Sequence, residues 1–246
     1  MTDRQTRRSA RLAAYDRLRE QRPHLFANPP GAAYEIVLDP DLQEQVADES
    51  ALKLAAAGLP EQNGDIGVVY ADRYTMLVRD AVRFPDGALG VYIRAMSPHD
   101  GIGAAVLPVL PDGRILLVRH FRHATRRWHW EIPRGFAEPG ADGAATAARE
   151  VEEEVGVAAA EVVYLGVLDT DTGAGVGGDE LYLARLAGVP QEHPAGAAEE
   201  GIDEFRAVTA EEFTQLIRDG ELGDAFALAA YAYALARGLW PPAPAA

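Results

Sequence analysis

The chain has 246 residues, no cysteine, and 38 acidic against 23 basic residues, a formal charge of −15. That composition excludes disulfides, thiolate metal sites and a cysteine nucleophile, and it lacks the basic surface that non-specific nucleic-acid binding needs. With 48% hydrophobic residues and no apolar run near the roughly 20 residues that span a bilayer, the chain reads as a globular, cytoplasmic protein without membrane or nucleic-acid partners.

In chain order, residues 3–21 predict an amphipathic helix with Leu12, Ala13, Tyr15 and Leu18 as its apolar positions, broken by Pro23, Pro29, Pro30 and Gly31. This stretch is arginine-rich, with Asp3, Asp16 and Glu20 as its only acids before Pro23. A second helix is expected over 41–57, ended by Gly58 and Pro60, and both helices read as a packing or dimerisation extension. From Gly67 the texture turns to strands over 67–70, 74–83 and 90–94, with Pro85-Asp86-Gly87 as a turn. Ala104–Leu110 and Arg114–Phe121 make a pair turning at Pro111-Asp112-Gly113, and 128–132 is a short strand. A helix over 143–155 has Asp142 as N-cap and Gly156 as its stop. Strands resume over 162–168 and 180–186. Thr209 and Glu212 make a capping box, and Asp224 caps a last helix through Ala236. Mixed strands and helices in this order give an α+β layered class. The expected divisions are a helical extension over 1–66, a small antiparallel strand subdomain used for dimerisation over 67–100, a main domain over 101–240 and a tail over 241–246.

The helix over 143–155 carries the chemistry. At about 100° per residue, Glu150, Glu153 and Glu154 share one face, Glu152 points away, and Ala144, Ala148, Val151 and Val155 form the inward stripe. Each carboxylate pair costs on the order of 3 kcal/mol at about 5 Å and an effective dielectric near 20, unless a cation offsets it. Oxygen ligands without histidine or cysteine suit Mg²⁺ or Mn²⁺ rather than zinc. An ordinary solvated glutamate face is the other reading of E-x-x-E-E on its own.

The wider string, Gly135 with Arg149-Glu150-Val151-x-Glu153-Glu154-x-Gly156-Val157, resembles the box of the Nudix hydrolase family, G-x5-E-x7-R-E-U-x-E-E-x-G-U. The resemblance implies an α/β/α sandwich with a mixed sheet, and hydrolysis of a nucleoside diphosphate linked to another group. It implies divalent metal on Glu150, Glu153 and Glu154, a further contact from the backbone carbonyl of Arg134 or Gly135, and Arg149 as the residue that orients the glutamates. One position departs: Ala141 stands where the box has a glutamate that supports this arginine, and Glu138 or Asp142 is the candidate substitute.

Residues 67–240 are similar to the ADP-ribose pyrophosphatase branch, in Phe121-Arg122 ahead of Glu131-Ile-Pro-Arg-Gly135 and in Gly177-Gly-Asp-Glu180-Leu-Tyr-Leu-Ala184. This implies Mg²⁺- or Mn²⁺-dependent cleavage of a nucleotide sugar such as ADP-ribose, to a nucleoside monophosphate and a sugar phosphate, by a homodimer. GDP-mannose, NADH, a dinucleoside polyphosphate, or nucleotide binding with weak turnover are the alternatives. Arg122, with Arg94 and Glu131, is the candidate substrate-binding set, because a guanidinium fork suits phosphate oxygens. The candidate base is Glu200, then Glu199, on the acidic stretch 192–204 read as a loop. The run 169–178 reads as a flexible loop. The histidines, His120, His123 and His129 among them, make no ligand spacing, and Trp128 and Trp130 read as packing residues.

Overall fold

The computed structural model describes residues 3–99, 101–137, 140–190, 197 and 200–241. The chain divides into two compact units, one of residues 1–98 with 171–176, the other of 99–170 with 177–246.

In the first unit, helices α1 (Asp3–Gln21) and α2 (Pro40–Ala56) accompany a four-stranded antiparallel sheet of β1 (Glu35–Ile36), β2 (Gly67–Ala71), β3 (Met76–Arg83) and β4 (Leu89–Met96). Strand β3 is central, pairing with each of the others. Tyr15 and Leu18 of α1 pack with Phe26, Val78 and Met96, while Val46 and Ala47 of α2 pack with Ile66 and Ala81. The arginines of α1 are not merely a solvated face. Arg7, Arg8 and Arg11 converge on the fully buried carboxylate of Asp65. Residues 171–176 are likewise not a free loop. The Ala95 N–H donates to the Ala174 carbonyl at 2.7 Å, Val176 N–H to the Ala95 carbonyl at 2.9 Å, and the Tyr92 hydroxyl to the Gly173 carbonyl at 2.6 Å.

The second unit is a seven-stranded mixed sheet of β5 (Ala104–Val109), β6 (Ile115–Arg122), β7 (Arg127–Glu131), β8 (Arg134–Gly135), β9 (Ala159–Leu168), β10 (Asp179–Leu186) and β11 (Ile202–Val208). Among these strands β5 and β10 run parallel, and the other pairings are antiparallel. Successive residues of β5 face opposite ways, as period-2 geometry requires. Ala104 and Val106 pack with Ala147, Val151 and Val155 of α3 (Gly143–Val155). Ala105, Leu107 and Val109 pack with α4 (Ala210–Arg218) and α5 (Ala225–Ala236), through Phe213, Leu216, Ala227 and Ala230. A sheet covered on both faces by helices is the expected α/β/α sandwich. Strand β11 corrects the reading of 192–204 as loop throughout: from Ile202 the chain pairs with β6. Among the described residues, no helix is long and apolar enough to cross a membrane.

Candidate active site

Helix α3 is set by its ends. The Asp142 carboxylate accepts the Ala145 N–H at 2.7 Å, and Gly156 takes the left-handed cap at φ 74°. With Val151 and Val155 turned into the core, Glu150 and Glu154 fall at the edge of the buried face, 5% and 2% exposed. Glu152 is exposed, and the Glu153 side chain is 49% exposed.

Strand β8 delivers backbone to these carboxylates. The Arg134 N–H donates to Glu154 Oε1 across a long 3.4 Å. A Cβ at Gly135 would collide with Glu150 Oε1, so only glycine lets that carboxylate close on the strand. Burial pushes the Glu154 carboxyl up to about 8, the Arg134 N–H opposes this, and the charges of Glu200 and Glu150 add to the rise. Burial also raises Glu150, against the pull of Arg149.

Arginines surround the pair. Arg149 donates to Glu150 Oε1 and to Glu153 Oε2, each at 2.5 Å, and to the Phe136 carbonyl at 3.0 Å. Arg122 and Arg134 share the buried Glu131: Arg122 Nε is 2.7 Å and Arg134 Nη2 3.1 Å from Glu131 Oε2. Arg134 also donates to Asp224 at 2.6 Å and lies over the Phe226 ring. Glu131 thus touches two arginines. Glu200 lies near enough for its charge to raise both Glu150 and Glu154.

Arg94 belongs to the first unit. Its guanidinium grips Asp80 through Nε at 2.6 Å and Nη2 at 3.0 Å, and it donates to the Leu25 carbonyl at 2.8 Å. These partners make it a strut of that unit's core. Glu199 and Glu138 lie outside the described residues.

The partners of two acids escaped the sequence reading. Asp224 caps α5 and holds Arg134. The Asp179 carboxylate fills the space that a Cβ at Gly103 would need, with the Gly135 carbonyl 3.2 Å from the same point. Burial raises the pKa of Asp179, against the charge of Arg134. The signal for both was present, since each acid follows a glycine-containing turn at the start of an element, but their partners are remote in sequence.

Among the described residues, no three Asp, Glu, His or Cys side chains are drawn together as a metal cage. The Arg149 fork holds Glu150 and Glu153. The residues nonetheless fit a hard divalent cation. The donors are all oxygen, the Gly135 backbone gives Glu150 room, and among the described residues the buried Glu154 carboxyl has only one long backbone bond. The same fork bears on Ala141. In this structure Arg149 is held by Glu150, Glu153 and the Phe136 carbonyl without an acid at 141. Ala141→Glu is therefore expected to change the hydrolysis rate by no more than about twofold, the scale of an exposed substitution. A tenfold rise in kcat would show that the support is missing.

Residues 99–229 match the family model described as NUDIX domain. The ADP-ribose pyrophosphatase of Mycobacterium tuberculosis (strain ATCC 25618 / H37Rv) is 36% identical over 131 residues, 52% of this chain, which spans only 59% of that relative's length. The ADP-ribose pyrophosphatase of Bacillus subtilis (strain 168) is 30% identical over 157 residues, 64% of this chain and 83% of the relative. The methanol dehydrogenase activator of Bacillus methanolicus is 28% identical over 165 residues, 67% and 87%. A crystal structure described as an ADP compounds hydrolase superposes with a TM-score of 0.59 at 20% identity, over 70% of this chain and 92% of the other, a likeness of fold.

Proposed function

The chain belongs to the NUDIX domain family, and from that premise we propose that it is a pyrophosphohydrolase acting on a nucleotide sugar such as ADP-ribose, giving a nucleoside monophosphate and a sugar phosphate. The observation that carries the proposal is the buried Glu150–Glu154 pair closed against the backbone of Arg134 and Gly135.

Glu150, Glu154 and, once released from Arg149, Glu153 would hold Mg²⁺ or Mn²⁺, with a backbone carbonyl of β8. Such ions supply charge neutralisation for the diphosphate and make water a better nucleophile. The remaining work falls to side chains. Arg122, oriented by Glu131, offers its fork to diphosphate oxygens. Glu200 accepts the proton of the attacking water, the P–O bond to the departing phosphate breaks, and that phosphate leaves with the bond's electron pair. Arg134, held by Glu131 and Asp224, keeps the β8 backbone in place against α3. The same proposal includes a cytoplasmic homodimer.

The test is a panel of ADP-ribose, GDP-mannose, NADH and a dinucleoside polyphosphate, each assayed with and without Mg²⁺ or Mn²⁺. The expected result is metal-dependent release of nucleoside monophosphate, fastest from ADP-ribose. Preference for another member reassigns the substrate, and saturable binding without turnover of any would replace the enzyme reading by a nucleotide-binding one.

A further inference from the structure

Strands β6 and β7 form a hairpin in which residues 119–130 include Arg119, Arg122, Arg126 and Arg127 and no acid, in a chain of net charge −15. Three of these arginines are engaged. Arg119 grips Asp203 through Nε at 2.8 Å and Nη2 at 2.6 Å. Arg122 turns Nε, at 2.7 Å, and Nη2, at 2.5 Å, to Glu131 Oε2. Arg126 reaches His123 Nδ1 at 2.8 Å, and its guanidinium lies 5.2 Å from the centre of the Phe121 ring. The Arg127 side chain is exposed and, among the described residues, has neither a hydrogen bond nor an ion pair.

The pairing register places Arg127 directly opposite Arg122. Alternation along each strand then sorts the hairpin into two faces. Phe121 and Trp128 meet on one, with ring centres 5.4 Å apart and Arg119 over the Trp128 ring. Arg122 and Arg127 share the other with Glu131. The turn fixes this register. The Arg126 N–H donates to the Arg122 carbonyl at 2.9 Å, and Arg126 takes φ 56°, a conformation uncommon outside glycine. A slip of one residue would carry Arg127 to the Trp128 face. Like charges directly opposite on neighbouring strands are destabilising, and an exposed arginine gains no packing to offset that cost. An anion seated between the two guanidinium groups removes it.

We infer that Arg127 is a second diphosphate-binding residue: with Arg122 on the facing strand it makes a clamp in which each guanidinium takes one of two neighbouring phosphates. The inference rests on the reading of Arg122 as a diphosphate ligand. Each phosphate of a nucleotide sugar carries a negative charge, and a guanidinium fork offers paired N–H donors to phosphate oxygens. Directly opposite residues stand about 5 Å apart at Cβ, so two long side chains from such a pair converge on groups joined by a single oxygen. In so acidic a chain, this local pair of cations also offsets the repulsion that an anionic substrate meets.

The probe is ADP-ribose with Mg²⁺. Arg127→Gln is expected to raise KM about tenfold with kcat within about threefold, the pattern of binding shared by ground and transition states. Arg127→Lys keeps the charge without the fork and should recover only part of the loss. Arg126→Asn is the control. It removes the same charge one residue away, asparagine accepts the left-handed turn, and KM should stay within about twofold. Calorimetry reads affinity without turnover: ADP-ribose with methylene in place of its bridging oxygen, in Mg²⁺, should bind Arg127→Gln about tenfold more weakly than the native protein. If Arg127→Gln keeps the native KM while Arg122→Gln is impaired, the clamp is overturned and Arg122 acts alone. Equal rises in KM for Arg127→Gln and Arg126→Asn show that only net charge counts, and overturn it as well. Native kinetics for Arg122→Gln instead remove the diphosphate reading of Arg122 itself, and with it this inference.

Discussion

Glu154→Gln is expected to lower hydrolysis by about 10²–10³-fold while making the metal-free protein more stable at pH 8. The two effects have one cause. The Glu154 carboxyl is 2% exposed, and the bond it accepts from the Arg134 backbone N–H is a long 3.4 Å. Burial lifts its pKa from an ordinary 4.5 to about 8. The folded chain therefore holds a proton there that the unfolded chain has released. Stability contributed by the neutral form is fully present below about pH 4.5 and is lost progressively as pH rises towards 8. Glutamine has the same shape and never ionises, so it removes this slope. A tenfold change in proton affinity is worth about 1.4 kcal/mol, so the gain at pH 8 is on the order of a few kcal/mol. Divalent ions favour the carboxylate, so in the native protein their binding should strengthen from pH 6 to 8, and the variant should lose most of that gain. Thermal melts of both proteins at pH 6 and 8, with and without Mg²⁺, measure all of this. A variant that hydrolyses at the native rate removes Glu154 from the site. A variant destabilised at pH 8 without metal shows that the carboxylate has a structural role instead.

The local parts of this site are legible in the sequence because their causes are local. Asp142 and Gly156 bound α3, Thr209 with Glu212 caps α4, and Asp224 caps α5, each through residues three or four positions apart. The i, i+3 and i+4 spacing of Glu150, Glu153 and Glu154 also sits within one turn of helix. What the spacing cannot show is how far each glutamate is buried. Val151 and Val155 draw Glu150 and Glu154 inward, whereas Glu153 stays out and pairs with Arg149. Partners brought together by the sheet are illegible for a plainer reason. Glu131 meets Arg122 across a hairpin, but Arg134 meets Asp224 over 90 residues. Strand β11 was hidden in the same way. Its acidic start continues the loop composition before it, and only pairing with β6 makes it a strand. Arg94 pairs with Asp80 across β3 and β4, a partner that composition alone does not reveal.

Asp65→Ala is expected to destabilise the first unit by about 3–5 kcal/mol, the scale for removing one partner of a buried charge cluster. Asp65 is 0% exposed and takes Arg8 Nε at 2.7 Å, Arg11 Nη1 at 2.9 Å and Arg7 Nε at 3.0 Å. Its own carbonyl accepts from Arg79 at 3.0 Å. Burial alone would raise its pKa, but hydrogen bonds from Arg8 and Arg7, and then their charges, hold the carboxyl below its ordinary 3.8. The sign follows. This contribution is present at neutral pH, starts to fade as pH falls below about 3.8 and is gone once pH passes the depressed folded value. Removing the carboxylate strands three guanidinium groups whose neutralisation brought α1 onto β2 and β3. The exposed pair Arg19–Asp16 is the internal control, and Asp16→Ala should cost less than about 1 kcal/mol. Tryptophan fluorescence is the wrong probe, because Trp128, Trp130 and Trp240 all lie in the second unit. Amide hydrogen exchange over residues 3–21 and 76–83 reads the first unit directly. If Asp65→Ala leaves protection there at the native level, the arginine-rich helix is held by Tyr15, Leu18 and their apolar neighbours alone, and its charge has no part in the fold.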